Sequence, residues 1–214
     1  MTITEKIRIF TNDDPTRNIE YDYPCYFINH RCLEVRKNMK KIYVIALIAG
    51  SMLTAGMLYA ETLIQAYNAA SAGSGYDKLI LLDRNTLYTG GLELSDESVC
   101  ILSAGAVIDL QGGLIYVNSS ASLDICGVVL KNGSSDDAAL KYNDGVKSWV
   151  DHCTFFDNYT GLRFWQNADL KITSNIFSES SHYGVYAHEY TTMWMSNNDA
   201  WQNQDGDYRM FCPT

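Results

Sequence analysis

The feature that most limits the fold is a weak repeat in the second half of the chain. The segments LDICGV (123–128), VDHCTF (150–155), ITSNIF (172–177) and MSNNDA (195–200) share one pattern. Each has an apolar residue, a polar one, a pair ending in Cys or Asn, and a second apolar residue five positions after the first. Their starts lie 27, 22 and 23 residues apart, and the first interval carries an extra segment, GSSDD (133–137). Asn158, Ser180 and Asn203 follow at a constant offset, and Gly161 and Gly184 recur beyond them. Side chains five apart on a straight strand face opposite sides, so burying both requires a bend between them. Bent coils of about 22 residues that stack equivalent side chains form a parallel β-helix. The predicted core includes Leu123, Val128, Val150, Phe155, Ile172 and Phe177.

The residues before the repeat agree. From Leu79 the chain runs through short β-rich segments, LILL, LYTG, GLEL, VCIL, VIDL, LIYV and LDIC, with almost no helical period. Ahead of them, Leu63, Ile64, Tyr67 and Ala70 have helical spacing and precede a Ser/Gly turn, which predicts one short helix. The 214 residues are 47% hydrophobic and 12% aromatic, suited to a packed domain. Residues 61–214 hold eight Lys and Arg against nineteen Asp and Glu. So acidic a domain is a poor partner for nucleic acid.

Upstream lies MKKIYVIALIAGSMLTAGMLYAE, from Met39. Two lysines, an apolar run and Ala60 before Glu61 have the layout of a secretory signal, although Leu58 is larger than the usual residue three places before a cut. Ile42–Ala60 is also about long enough to span a bilayer, with Arg36, Lys37, Lys40 and Lys41 on the inner side. The expectation is a secreted or periplasmic domain at 61–214. The alternative is a domain held outside the cytoplasm by an uncleaved 42–60 anchor, the chain's one contact with a membrane. Residues 1–38 carry Pro15, Pro24, Cys25 and Cys32, show no sustained period, and are assigned no fold.

The helix IQAYNAASAG, followed by LILLDRNTLYTGGLEL, VCILSAGAVIDLQG and WVDHCTFFDN, resembles the right-handed parallel β-helix repeat proteins of the pectate-lyase-like superfamily over roughly 62–210. The resemblance implies an all-β, right-handed parallel β-helix with a short N-terminal capping helix, three-faced coils, and a role on extracellular or periplasmic polysaccharide. It is specific for fold and weak for function, since that fold serves lyases, hydrolases, adhesins and tailspikes.

The run Asp151-His152-Cys153 invites a catalytic or metal interpretation. In the repeat, however, Asp151 shares a row with Asp124, Thr173 and Ser196 and is expected to face solvent. His152 falls at the bend, and Cys153 stacks with Cys126, Asn175 and Asn198. The run is therefore read as scaffold, with no metal site and no cofactor. No C-x-x-C pair is present. Cys100, Cys126, Cys153 and Cys212 fall in the exported part, and buried thiols are favoured over a Cys126–Cys153 disulfide. WVDHC resembles the W-I-D-H-C stretch of family 1 pectate lyases. Their calcium site draws carboxylates from a following segment where Tyr159-Thr160-Gly161-Leu162-Arg163 supplies none. The N-T-D, G-H-G and R-I-K motifs of polygalacturonases are also missing. Catalytic residues therefore stay unassigned.

One constellation stands out. Strands ALKYN, GLRFW, GVYAH and DYRMF turn Lys141, Arg163, Tyr186 and Arg209 outward on one face, beside Asn143, Trp165, His188 and Phe211. Three of the domain's eight cations lie in that row. Lys and Arg also alternate outward on any solvated strand. The sharper expectation is a groove for an acidic polysaccharide, built from Lys141, Arg163, Trp165, Tyr186, His188 and Arg209. The function expected is glycan binding or surface display without catalysis. The alternative is a polysaccharide lyase or hydrolase, with Arg163 or Lys141 neutralising a uronate and His188 as base. DYRMFCPT carries the strand pattern on for a few positions with no closing segment. The sequence therefore predicts a C-terminally truncated chain that self-associates through its last coil.

Overall fold

The chain divides into two units, residues 1–54 and 55–214. The computed structural model describes residues 60–189 and 191–210, and the backbone of two upstream strands, Ile7–Ile9 and Ile19–Tyr21, paired antiparallel. That pairing was not anticipated for residues 1–38. The signal or anchor segment up to residue 59 and the end at 211–214, including Cys212, lie outside the described residues. Among the described residues no helix is long and apolar enough to cross a membrane.

The second unit is a parallel β-solenoid of about seven turns with one short helix near its N-terminal end. The helix, Leu63–Ala69, begins in a capping box: the Gln65 N–H donates to Thr62 Oγ1 and the Thr62 N–H donates to Gln65 Oε1. It buries Leu63 against the core.

Each coil contributes strands to three faces. Face A stacks Lys147–Asp151, Asp169–Thr173 and Thr192–Ser196, face B stacks Thr154–Phe156, Ile176–Ser178 and Asp199–Trp201, and all pair in parallel. Face C stacks Leu92–Leu94, Ile115–Val117, Leu140–Tyr142, Leu162–Phe164, Tyr183–Ala187 and Gly206–Met210. The long strands Ser98–Asp109 and Ser122–Lys131 run through the corner between A and B. Val150 pairs with Ile172, and all six predicted core residues are buried. Phe155 stacks on Phe177 at 4.8 Å between centroids, the spacing of neighbouring strands.

The expected bend is left-handed backbone. His152, Ser174 and Asn197 hold φ of 52°, 57° and 54° at the A/B corner, and Gly127 (φ 71°) turns the same corner in the long strand before them. An asparagine ladder satisfies the backbone there. The Cys153 N–H donates to Asn175 Oδ1 (2.8 Å), the Asn175 N–H to Asn198 Oδ1 (3.0 Å), and Asn175 Nδ2 to the Val150 carbonyl (2.9 Å). At the start of face C the coils approach so closely that a Cβ on Gly161 would lie 2.6 Å from the Gly184 carbonyl oxygen. The recurring glycines are a packing requirement.

One register differs from the sequence alignment. Ile125, not Leu123, pairs with Val150, so Cys126 stands beside Asp151 instead of Cys153, and Asp124 sits beside Trp149, whose N–H donates to its carboxylate. Apolar residues five apart match VDHCTF both in LDICGV, an advance of 27 residues, and in ICGVVL, an advance of 25, and the pairing of both strands selects the second. Asp151 is correspondingly buried, 8% exposed, where solvent was expected. Cys100 and Cys153 are buried, and Cys126 is half-buried.

Candidate functional site

Two groups of side chains are candidates for a functional site. The first lies at the A/B corner. Asp151 Oδ1 accepts from Thr173 Oγ1 (2.6 Å) and lies 2.8 Å from His152 Nδ1, and Trp149 Nε1 donates to Thr173 Oγ1 (2.8 Å). Asp151 Oδ2 is 3.8 Å from Cys126 Sγ. Ligand atoms of Cys126, Asp151 and His152 all lie within 4.8 Å of one another. A nucleophilic triad places the imidazole between thiol and carboxylate. Here the carboxylate lies between the other two, an arrangement that suits shared ligation better than proton relay. His152 is exposed and Cys126 half-buried, so the group opens to solvent. The neighbouring Cys153 is different: it is fully buried, and burial pushes its thiol up to about 12. The sequence brought Asp151 and His152 forward, but the misregistered row hid Cys126 as their companion.

The second group is the outer surface of face C. Lys141, Arg163, Tyr186 and Arg209 pair in register on successive coils, as expected, and Tyr116 and Glu93 extend the row beyond Lys141. Beside it the Trp165 indole stacks on the His188 imidazole, centroids 3.9 Å apart and planes 15° from parallel. The Arg163 guanidinium lies 5.1 Å from the ring centres of both Trp165 and Tyr186, and Arg209 lies 5.2 Å from Tyr186 and 5.4 Å from Tyr183. Tyr159 and Tyr183 pack on His182, which pairs with Asp205. All six predicted residues therefore share one surface. Asn143 lies one coil before Trp165 with its amide toward Asn118, and Phe211 is outside the described residues.

Two features of this face escaped the sequence. Asp137 pairs with both Lys141 and Arg163, at 3.1 Å from Arg163 Nη1. Its signal in the sequence is the GSSDD insertion. His188 is held neutral: burial first, then Arg163, Lys141 and Arg209, lower it to about 4. Its Nε2 accepts from Arg163 Nε at 3.3 Å.

Residues 71–207, well over half of the chain, match the family model described as "Periplasmic copper-binding protein (NosD)". Neither the curated proteins nor the solved structures gave a match. The seven-turn parallel solenoid and the span of that match lead to one assignment: the chain belongs to the NosD family, a pectate lyase-like parallel β-helix family described as periplasmic.

Proposed function

We propose that this domain is a non-catalytic exported scaffold that binds an acidic glycan along face C. The observation that carries this is the in-register row Lys141–Arg163–Tyr186–Arg209 flanked by the Trp165–His188 stack. Sugar rings have apolar faces that suit an indole, and uronate carboxylates suit Arg and Lys. In a domain with nineteen acidic residues against eight basic, three cations in one row concentrate positive charge where a polyanion can use it. The lyase alternative is weakened by His188. A base whose conjugate acid titrates at about 4 is a poor proton acceptor for a carbon acid. The test is calorimetric titration of the full chain with a galacturonate octamer at several salt concentrations. Arg209→Ala should lose about 1.5 to 3 kcal/mol, the size of a charge-assisted hydrogen bond, and affinity should fall with salt. A chain that binds no acidic oligomer at low salt sinks the proposal.

A second reading follows the family description, copper binding, and the Cys126–Asp151–His152 group favours it. Thiolate and imidazole are soft or borderline donors that suit monovalent copper, and the Asp151 carboxylate between them, held by Thr173, would complete the donor set. This departs from the sequence-based expectation that Asp151 and His152 are dispensable for metal binding. An anaerobic titration with Cu(I) against a chromogenic chelator tests it. Cys126→Ser and His152→Ala should each weaken or abolish one binding event. An unchanged stoichiometry and affinity in Cys126→Ser rules this site out.

A further inference from the structure

We infer that Asp137 is a built-in occupant of a carboxylate subsite on face C, and that it sets which anions the domain holds. This rests on the glycan proposal above. Asp137 Oδ1 accepts from Arg163 Nη1 at 3.1 Å, and Oδ2 takes Lys141 Nζ. The three side chains are only 21%, 23% and 18% exposed, so the contact is sheltered from water. A carboxylate held between an Arg and a Lys is the arrangement a uronate would make with the same two cations.

The coil that delivers Asp137 is the long one. Val107, Val129, Thr154, Ile176 and Asp199 are equivalent positions, giving coil lengths of 22, 25, 22 and 23 residues as the differences between successive numbers. The longest interval contains GSSDD. That loop is braced. The Gly133 N–H donates to Asn158 Oδ1 (2.8 Å), the Asp137 N–H to the buried Ser134 Oγ (3.2 Å), and Ser134 Oγ to Asp136 Oδ1 (2.8 Å). A cavity of about 470 Å³ borders Asp137 and Lys141, lined also by Glu93 and Tyr116. Ligand therefore has room beside the pair.

Exchanging one carboxylate for another between the same two cations yields little net free energy. A ligand that offers only an isolated carboxylate meets a competitor already in place. A polymer that also reaches Arg209 and the Trp165 surface gains contacts Asp137 does not make, so the native chain selects extended polyanions over small ones.

The test uses the full chain, with Asp137→Asn as the isosteric variant and Asp137→Ser as a second, each checked for an unchanged melting profile. The probes are galacturonate monomer, galacturonate octamer and its methyl-esterified form. Removing the internal carboxylate should raise affinity for the octamer by about tenfold or more and bring monomer binding into range, with the esterified octamer unaffected. Equal octamer affinity in native and variant chains overturns the role of Asp137 while leaving the glycan proposal standing. Weaker binding in the variants makes Asp137 a ligand contact and overturns it too. Octamer binding by none of the chains overturns both.

Discussion

Trp165 and His188 lie face to face on neighbouring coils of one sheet, their ring centres 3.9 Å apart. Partial burial of the imidazole, with Arg163 beside it, disfavours its cationic form on two counts and lowers it from 6.5 to about 4. Between those values the unfolded chain binds a proton that the folded chain refuses. Stability therefore falls as pH drops from about 6.5 to about 4 and is unaffected by this group above that window. A His188 ring titration followed by NMR should show its midpoint near 4. Replacing it in His188→Gln should flatten the pH dependence of the melting temperature in that interval. A midpoint near 6.5 would show the ring to be solvated instead of stacked.

The asparagine ladder predicts a local cost. Asn175 accepts from the Cys153 N–H and donates to the Val150 carbonyl, both in the buried corner. Asn175→Leu leaves these groups without partners and should destabilise the domain by about 1 to 3 kcal/mol per orphaned group in urea unfolding. Loss of less than about 0.5 kcal/mol would mean that water replaces the amide.

Gly161 predicts a steric effect of a different kind. Its Cβ position is 2.6 Å from the Gly184 carbonyl oxygen, a backbone atom that cannot rotate away. Gly161→Ala should force the coils apart and cost about 1 to 3 kcal/mol, the usual range for overpacking. Gly145, with open space around its Cβ position, provides a comparison in which only its positive φ of 74° is strained. Equal, small effects at both sites would argue against close approach of the coils.

Thiol chemistry separates the three described cysteines. Cys153 is buried with its thiol pushed up to about 12, and Cys100 is fully buried, whereas Cys126 is half-buried beside Asp151. In the native chain at pH 8 an alkylating reagent should modify Cys126 well before Cys100 or Cys153, read by peptide mass spectrometry, with all three reacting on unfolding. Early modification of Cys153 would contradict the described packing.

The coil was legible in the residues alone. Two apolar residues five apart, repeated about every 22 residues, demand a bend and a stack, and the Asn and Gly positions that recur with them are what such a bend and such close coils require. The sequence also placed Lys141, Arg163, Tyr186 and Arg209 in one row, because strand alternation and a fixed period leave no other place for them. The register of Cys126 was not legible there and follows from strand pairing in the folded chain. LDICGV (123–128) and ICGVVL (125–130) both match the apolar spacing of VDHCTF, and a two-residue slip keeps the inward set inward, so local pattern carries no preference. Pairing on both sides of the corner breaks the tie, moving Cys126 from Cys153 to Asp151 and turning a row of scaffold residues into a thiol, a carboxylate and an imidazole in contact range. Asp137 was invisible for a related reason. An insertion has no period, and where its carboxylate lands depends on how the loop folds over the neighbouring coil, where it meets Arg163, twenty-six residues later in the chain.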